Sequence, residues 1–163
     1  MLRSAETLFL GSHINKVDAK GRIAAPADFR RALKLDAFNG FYCVPSLLGP
    51  YLDCGGANFI ENLQAMIAAL DPYDPDRAAL QETLIGQARP IPFDGDGRFI
   101  LPQPLREHAR IGERALLMGC GETFQIRDAQ GAEERLAAAT ERARRALGKL
   151  RNPPPLQIGG GAR

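Results

Sequence analysis

Two stretches of the 163-residue chain repeat one alternation of apolar and polar positions. In the first, a strand over Ile14–Val17 meets a polar turn containing Gly21, a second strand runs over Arg22–Ala25, and Pro26 stops it. Phe29, Ala32 and Leu33 then recur at helical spacing and predict a helix over Ala27–Leu35. In the second stretch, strands over Ile91–Phe93 and Arg98–Leu101 flank Gly97, Pro102 ends the second strand, and Leu105 and Ala109 mark a helix over Gln103–Ala109. The turn glycines supply the positive φ that a tight reversal needs. Pro104 falls at the start of its helix, where a missing N–H costs nothing. More strand follows each helix: Phe41–Val44 and Pro50–Cys54 in the first copy, Ala115–Met118 and Thr123–Arg127 in the second, the last pair joined by Gly119-Cys120-Gly121.

Setting Val17–Arg30 against Phe93–Arg106 places Asp18 on Asp94, Gly21 on Gly97, Arg22 on Arg98, Pro26 on Pro102 and Arg30 on Arg106, all at an offset of 76 residues. The chain is therefore read as α+β, mainly β, built from two tandem β-β-α-β-β units whose strands are too short to close a core alone. The units span residues 7–54 and 89–130. Residues 55–88 form a helical linker, with helices over Glu61–Leu70 and Asp76–Ala88 broken at Asp71–Pro75. A C-terminal helix occupies 131–150, with Leu136, Ala143, Leu147 and Leu150 on a narrow face that suits docking on the body better than a coiled coil. Pro153–Pro155 and Gly159–Gly161 mark 151–163 as a disordered tail.

Composition narrows the class. With 45% apolar and 25% charged residues the chain is expected to be soluble and globular. No run approaches the roughly 20 apolar residues of a membrane span, and Met1–Gly11 lacks a signal-peptide core, so a cytoplasmic protein is expected. Cys43, Cys54 and Cys120 are odd in number and lack CxxC spacing, which points to reduced thiols that mostly pack. His13 and His108 stand without other ligand-type residues at metal spacing, and Gly119-Cys120-Gly121 lacks the third glycine and following helix of a nucleotide fingerprint. No catalytic constellation emerges, so neither an enzyme, a metal, a cofactor nor a small-molecule substrate is expected.

Charge changes the picture more. The net charge is only +2, yet residues 12–36 carry +3, residues 132–163 carry +4 and residues 53–87 carry −5. Segregation of this kind presents one sign to a partner. In the first turn Lys20 and Arg22 flank Gly21, with Lys16 one strand earlier and Arg30 and Arg31 on the next helix. In the second, Asp96 replaces Lys20, so Asp94 and Asp96 face Arg98. A two-stranded ribbon or its loop fits the major groove, where cations meet phosphates and an arginine fork reads guanine. The candidate DNA-binding residues are Lys16, Asp18, Lys20, Arg22, Arg30, Arg31 and Arg98, while Asp18, Gly21, Asp94 and Gly97 shape the turns. Asp18 and Asp94 suit orienting the arginines better than touching DNA; Arg22 suits both jobs. The Lys20/Asp96 contrast makes the first turn the main source of phosphate attraction. The basic run Arg142, Arg144, Arg145, Lys149 and Arg151 reads first as a solvated helix face.

Phe9-Leu10-Gly11, Asp18-Ala19-Lys20-Gly21-Arg22, Pro26-Ala27-Asp28-Phe29-Arg30, Asp94-Gly95-Asp96-Gly97-Arg98, Leu101-Pro102, Leu105–Ala109 and Gly119-Cys120-Gly121 together resemble the MraZ family over residues 7–145. The resemblance implies SpoVT/AbrB-type units that exchange hairpins within one chain to form a pseudo-dimeric barrel. It also implies a regulator bound to double-stranded DNA, at short repeats upstream of its own operon. Such a regulator is mainly a repressor of the bacterial division and cell wall gene cluster, nucleoid-associated and assembled as a homo-oligomeric ring, with no cofactor or catalysis. Arg127 stands where the family carries Trp, and Ala24-Ala25 where it carries a β-branched strand; both bear on subunit contacts more than on the turns. Competing readings are an AbrB-type antitoxin, which usually has one hairpin and a toxin-wrapping tail, and a ring-forming structural protein without DNA binding.

Overall fold

The computed structural model describes residues 4–152. Each repeat supplies four strands and a short helix: β1 (Ser12–Lys16), β2 (Arg22–Ala24), α1 (Ala27–Ala32), β3 (Gly40–Pro45) and β4 (Leu52–Gly55) in the first. Between the repeats lie α2 (Ala57–Ala68) and α3 (Pro75–Leu80), the latter running into a π-helical turn over Gln81–Ile85. The second repeat follows as β5 (Arg89–Pro92), β6 (Arg98–Ile100), α4 (Gln103–His108), β7 (Arg114–Gly119) and β8 (Phe124–Asp128).

Strand pairing runs across the repeats. β1 leaves its own unit to pair antiparallel with β7, Ile14 opposite Leu116, and β5 pairs in the same way with β3, Pro90 opposite Tyr42. β2 pairs with β6 about Ile23 and Phe99, and β4 with β8 about Asp53 and Gln125. The sheet order β1-β7-β8-β4-β3-β5 therefore reads the same from either end when the repeats are exchanged, so the chain folds with a pseudo-two-fold axis between β4 and β8. The α+β class and the hairpin exchange are as the sequence implies. The hydrogen-bonded sheet does not, however, close into a barrel: six strands form an open sheet, while β2 and β6 form a separate two-stranded ribbon. Each ribbon strand is only three residues long and ended by Pro26 or Pro102, so its link back to its own hairpin is short: the Val17–Ile23 bridge in the first repeat, and the Asp18 and Asp94 N–H bonds to the Arg22 and Arg98 carbonyls.

Both repeats fill one core. Phe9, Phe29, Phe41 and Phe124 meet with ring centroids 4.8 to 5.3 Å apart, and Phe41 meets Phe99 edge-on at 5.0 Å. Alternation along β2 and β6 sends Ile23 and Phe99 inward, while Ala24 and Ile100 stay exposed. Cys43 and Cys54 face each other across β3 and β4, fully buried, with Sγ atoms 3.5 Å apart, and burial pushes the Cys54 thiol up. Cys120 is also a free thiol but is exposed.

The helices differ in length from the sequence reading. α1 ends at Ala32, and the chain turns through Leu33–Asn39 before β3. α2 begins at Ala57, four residues earlier than expected, because Asp36 accepts the Ala57 N–H at 2.9 Å through Oδ2 and caps the helix from 21 residues upstream. Asp74 caps α3 locally by accepting the Asp76 N–H at 2.9 Å. Residues through Gln130 form one compact unit and the segment from Gly131 a second. Within the second, α5 (Ala132–Ala146) is followed by a 3-10 turn over Leu147–Lys149. The tail expected over 151–163 lies outside the described residues from 153 onward.

Phe124 is 2% exposed and joins rings of both repeats. Phe124→Ala is expected to destabilise the fold by about 3–5 kcal/mol, since the cavity is walled by rings that cannot collapse freely. Urea unfolding of the two proteins, followed by far-UV circular dichroism, measures the difference.

Candidate nucleic-acid interface

The two turns are built alike. Asp18 is followed after two residues by Gly21 at φ +82°, and Asp94 by Gly97 at φ +72°, a backbone region that glycine occupies without penalty. Each aspartate folds its own turn: Asp18 Oδ1 accepts the backbone N–H groups of Lys20 and Arg22 at 2.9 and 2.8 Å, and Asp94 Oδ1 accepts those of Asp96 and Arg98 at 2.8 and 2.9 Å. Oδ1 of each carboxylate is thus occupied by its own turn.

The arginines behave differently. Arg22 donates Nε to Asp18 Oδ2 at 2.7 Å, and its Nη atoms enter no ion pair among the described residues. Arg98 is held by three carboxylates: Nη2 lies 3.1 Å from Asp96, Nε 3.8 Å from Asp94, and Nη1 3.7 Å from Asp18 of the other repeat. The Asp18–Arg98 pair ties the two turns side by side.

The helix arginines also cross over. A β-carbon placed on Gly21 would lie 3.3 Å from Nη1 of Arg106, and one placed on Gly97 would lie 2.8 Å from Cζ and Nε of Arg30. Each turn is therefore covered by the α1 or α4 arginine of the opposite repeat. Lys16, Lys20 and Arg22 stay with the first turn, but Arg30 is brought to the second. Arg31, which pairs with Asp28 at 3.1 Å, and Lys34 join Arg30 along a groove of about 560 Å³ between α1 and the Phe93–Gly97 segment. Seven residues connect α1 to β3 but only five connect α4 to β7, so the first repeat has the longer wall for such a groove. Arg106 was not among the candidates read from sequence, although its alignment with Arg30 was the available signal. Arg114 was missed too: it stands directly opposite Lys16 in the β1–β7 ladder. His13 packs edge-on against Phe29 at 5.4 Å, and His108 Nε2 lies 3.2 Å from the Gly49 carbonyl oxygen, both packing arrangements.

Comparison with known proteins now bears on this geometry. A family model described as "MraZ protein, putative antitoxin-like" matches residues 84–146. Proteins named transcriptional regulator MraZ from Rickettsia akari (strain Hartford) and Rickettsia rickettsii (strain Sheila Smith) are each 40% identical over 145 residues, covering 89% of this chain and 97% of their own. One of the same name from Rickettsia bellii (strain OSU 85-389) is 38% identical over 146 residues, with the same coverage. The chain belongs to the MraZ family. MraZ is a family of transcriptional regulators and not of enzymes, and this chain is a transcriptional regulator. Both turns and both crossing arginines lie in a stretch that its MraZ relatives match nearly end to end. No described helix is long and apolar enough to cross a membrane.

Hydrogen bonds to the ionised carboxylate govern the acid behaviour of the turns. The Arg22 backbone N–H, the Arg22 side chain and the Lys20 N–H together outweigh partial desolvation and lower Asp18 to about 2. Asp94 is lowered by the backbone N–H of Arg98, with smaller help from the Asp96 N–H and the charges of Arg98 and Arg22. A carboxylate depressed in the folded state stabilises the fold above its unfolded value near 3.8, and that contribution is lost as pH falls through the folded value. Asp18→Asn is therefore expected to be less stable than the parent at pH 7, with the difference shrinking between pH 4 and pH 2. Urea midpoints at several pH values check this, and a pH-independent difference would contradict it.

Proposed function

We propose that this chain represses transcription by binding double-stranded DNA at short repeats upstream of its own operon, the division and cell wall gene cluster. In this reading it is cytoplasmic and nucleoid-associated, and acts as a ring-like homo-oligomer. The observation that carries DNA binding is the pair of hairpin turns, one from each repeat, tied together by Asp18–Arg98 and flanked by cations.

In this reading equivalent residues of the two turns do different work. Arg22 keeps its Nη edge available beyond the Nε bond to Asp18, which suits a forked contact to guanine O6 and N7 in the major groove. Asp18 aims that fork without touching DNA. Lys16 and Lys20 are exposed and suit phosphate contacts, as do Arg30 and Arg31 beside the second turn. Arg98, spread over three carboxylates, fixes the separation of the turns. One reading arginine beside a braced second turn suits a target of repeated elements that successive copies would read, and the family supplies the regulatory context.

Titration against DNA from upstream of the protein's own gene and against a scrambled duplex, at several salt concentrations, tests the reading. Tighter binding to the upstream duplex with a steep salt dependence is expected. Equal, weak binding to both would overturn it in favour of a structural ring protein. Combined Lys20→Ala and Arg22→Ala substitutions are expected to flatten log K against log salt by about one unit, for the Lys20 phosphate contact, and to reduce the preference for the upstream duplex, for the Arg22 base contact; Arg98→Ala is expected to flatten the slope by less. An equal flattening from Arg98→Ala would contradict the division of labour.

A further inference from the structure

The pseudo-two-fold axis makes each residue of the first turn comparable with its counterpart at the second, and four positions show a one-sided pattern. Lys16 corresponds to Pro92, Lys20 to Asp96 and Arg114 to Gly40, while Arg106 corresponds to Arg30. All four are cationic beside the Gly21 turn; beside the Gly97 turn only Arg30 is.

Two of the four come from the second repeat. Arg106 reaches the Gly21 turn from α4, and neither it nor Arg30 forms an ion pair with a carboxylate among the described residues. Its Nε lies 3.5 Å from the Ile111 carbonyl oxygen, at the limit of a hydrogen bond, so the guanidinium retains donors for an external anion. Lys16 and Arg114 are directly opposed in the ladder, where side chains share one face, and both are exposed. Like charges so placed repel and weaken the sheet, unless an anion joins them. Lys16 lies two residues before Asp18, at the end of β1 that enters the turn, so this pair adjoins the one formed by Lys20 and Arg106.

We infer that Lys16 and Lys20 of the first repeat and Arg106 and Arg114 of the second form one composite phosphodiester-binding patch. At these four positions the cations gather beside the Gly21 turn, whereas Arg30, Arg31 and Lys34 line the groove beside the Gly97 turn. The inference rests on the DNA-binding reading and adds Arg106 and Arg114, together with the one-sidedness, to it. A guanidinium that only braces the turn would change affinity without changing the number of counterions released; one that meets a phosphate changes both.

The test is a salt series on the full-length chain with the upstream and scrambled duplexes. Arg106→Gln and Arg114→Gln are each expected to flatten log K against log salt by about one unit on both duplexes. Arg106→Lys is expected to keep the parental slope. Arg89→Gln, a loss of equal charge on β5 at the far edge of the sheet, is expected to leave the slope unchanged. Unfolding midpoints of all four variants identify any that fail to fold, and the Arg114 variant, outside the turn contacts, carries the test if Arg106→Gln does not. A steep parental slope that neither Arg106→Gln nor Arg114→Gln alters overturns the patch alone. A parent that binds both duplexes weakly and without salt dependence overturns the patch and the DNA-binding reading together.

Discussion

The pairing of β2 with β6 about Ile23 and Phe99 is the contact on which the rest of the molecule depends. Each strand offers only three residues, so neither could hold a core within its own repeat. Crossing over solves this: Ile23 and Phe99 are buried from one face of a shared ribbon, and β1 and β5 are carried onto the opposite repeat's strands. The same exchange determines where the polar residues go. Because the glycine turns lie between the exchanged strands, Asp18 and Arg98 are brought within 3.7 Å although they are 80 positions apart. The interface is thus a product of the topology, and losing the ribbon would separate its two halves.

Charge at the turns follows from competition between internal and external partners. A side chain that accepts two backbone N–H groups cannot be exchanged for one without an acceptor at that place without freeing them, and this commits Asp18 and Asp94 to their own turns. The arginine two places from Asp96 then pairs with it at the turn tip, whereas the arginine two places from Lys20 meets a like charge there. One substitution at the turn tip therefore alters two side chains: it changes the tip's own charge and decides whether the neighbouring guanidinium has an edge left to offer.

The repeat was legible because the turns impose local chemistry: an aspartate to accept, a glycine for positive φ, a proline to end the strand. Lys16, Lys20 and Arg22 can be grouped from sequence for the same reason, being local to one turn. What local pattern does not carry is which repeat a residue serves. Arg30 follows the first turn in sequence but covers the second in space, and Arg106 does the reverse, because the exchange carries each helix toward the other hairpin. The start of α2 was hidden similarly, since its cap, Asp36, lies on the far side of β3 and β4. The open sheet was not foreseen because closure depends on the length of strands whose ends a proline and a glycine fix only within a residue or two.

Tandem duplication inside one chain permits what a symmetric dimer does not. Two identical subunits would carry a lysine, or an aspartate, at both turn tips and would meet DNA with equal sides. Here the copies are joined, so Lys20 and Asp96 diverged while Gly21 and Gly97, Asp18 and Asp94 and Arg22 and Arg98 kept the shared backbone. The same holds at position 127, where an arginine stands over the Tyr51 ring at 4.3 Å and donates to Gln125 at 2.7 Å. Its counterpart on β4 is Gly55, so this cation–π contact has no copy in the first repeat. A body whose framework is two-fold and whose side chains are not has two chemically different ends. In the DNA complex proposed above, that difference would give each subunit a direction along the duplex, which a strictly two-fold unit has no means to enforce.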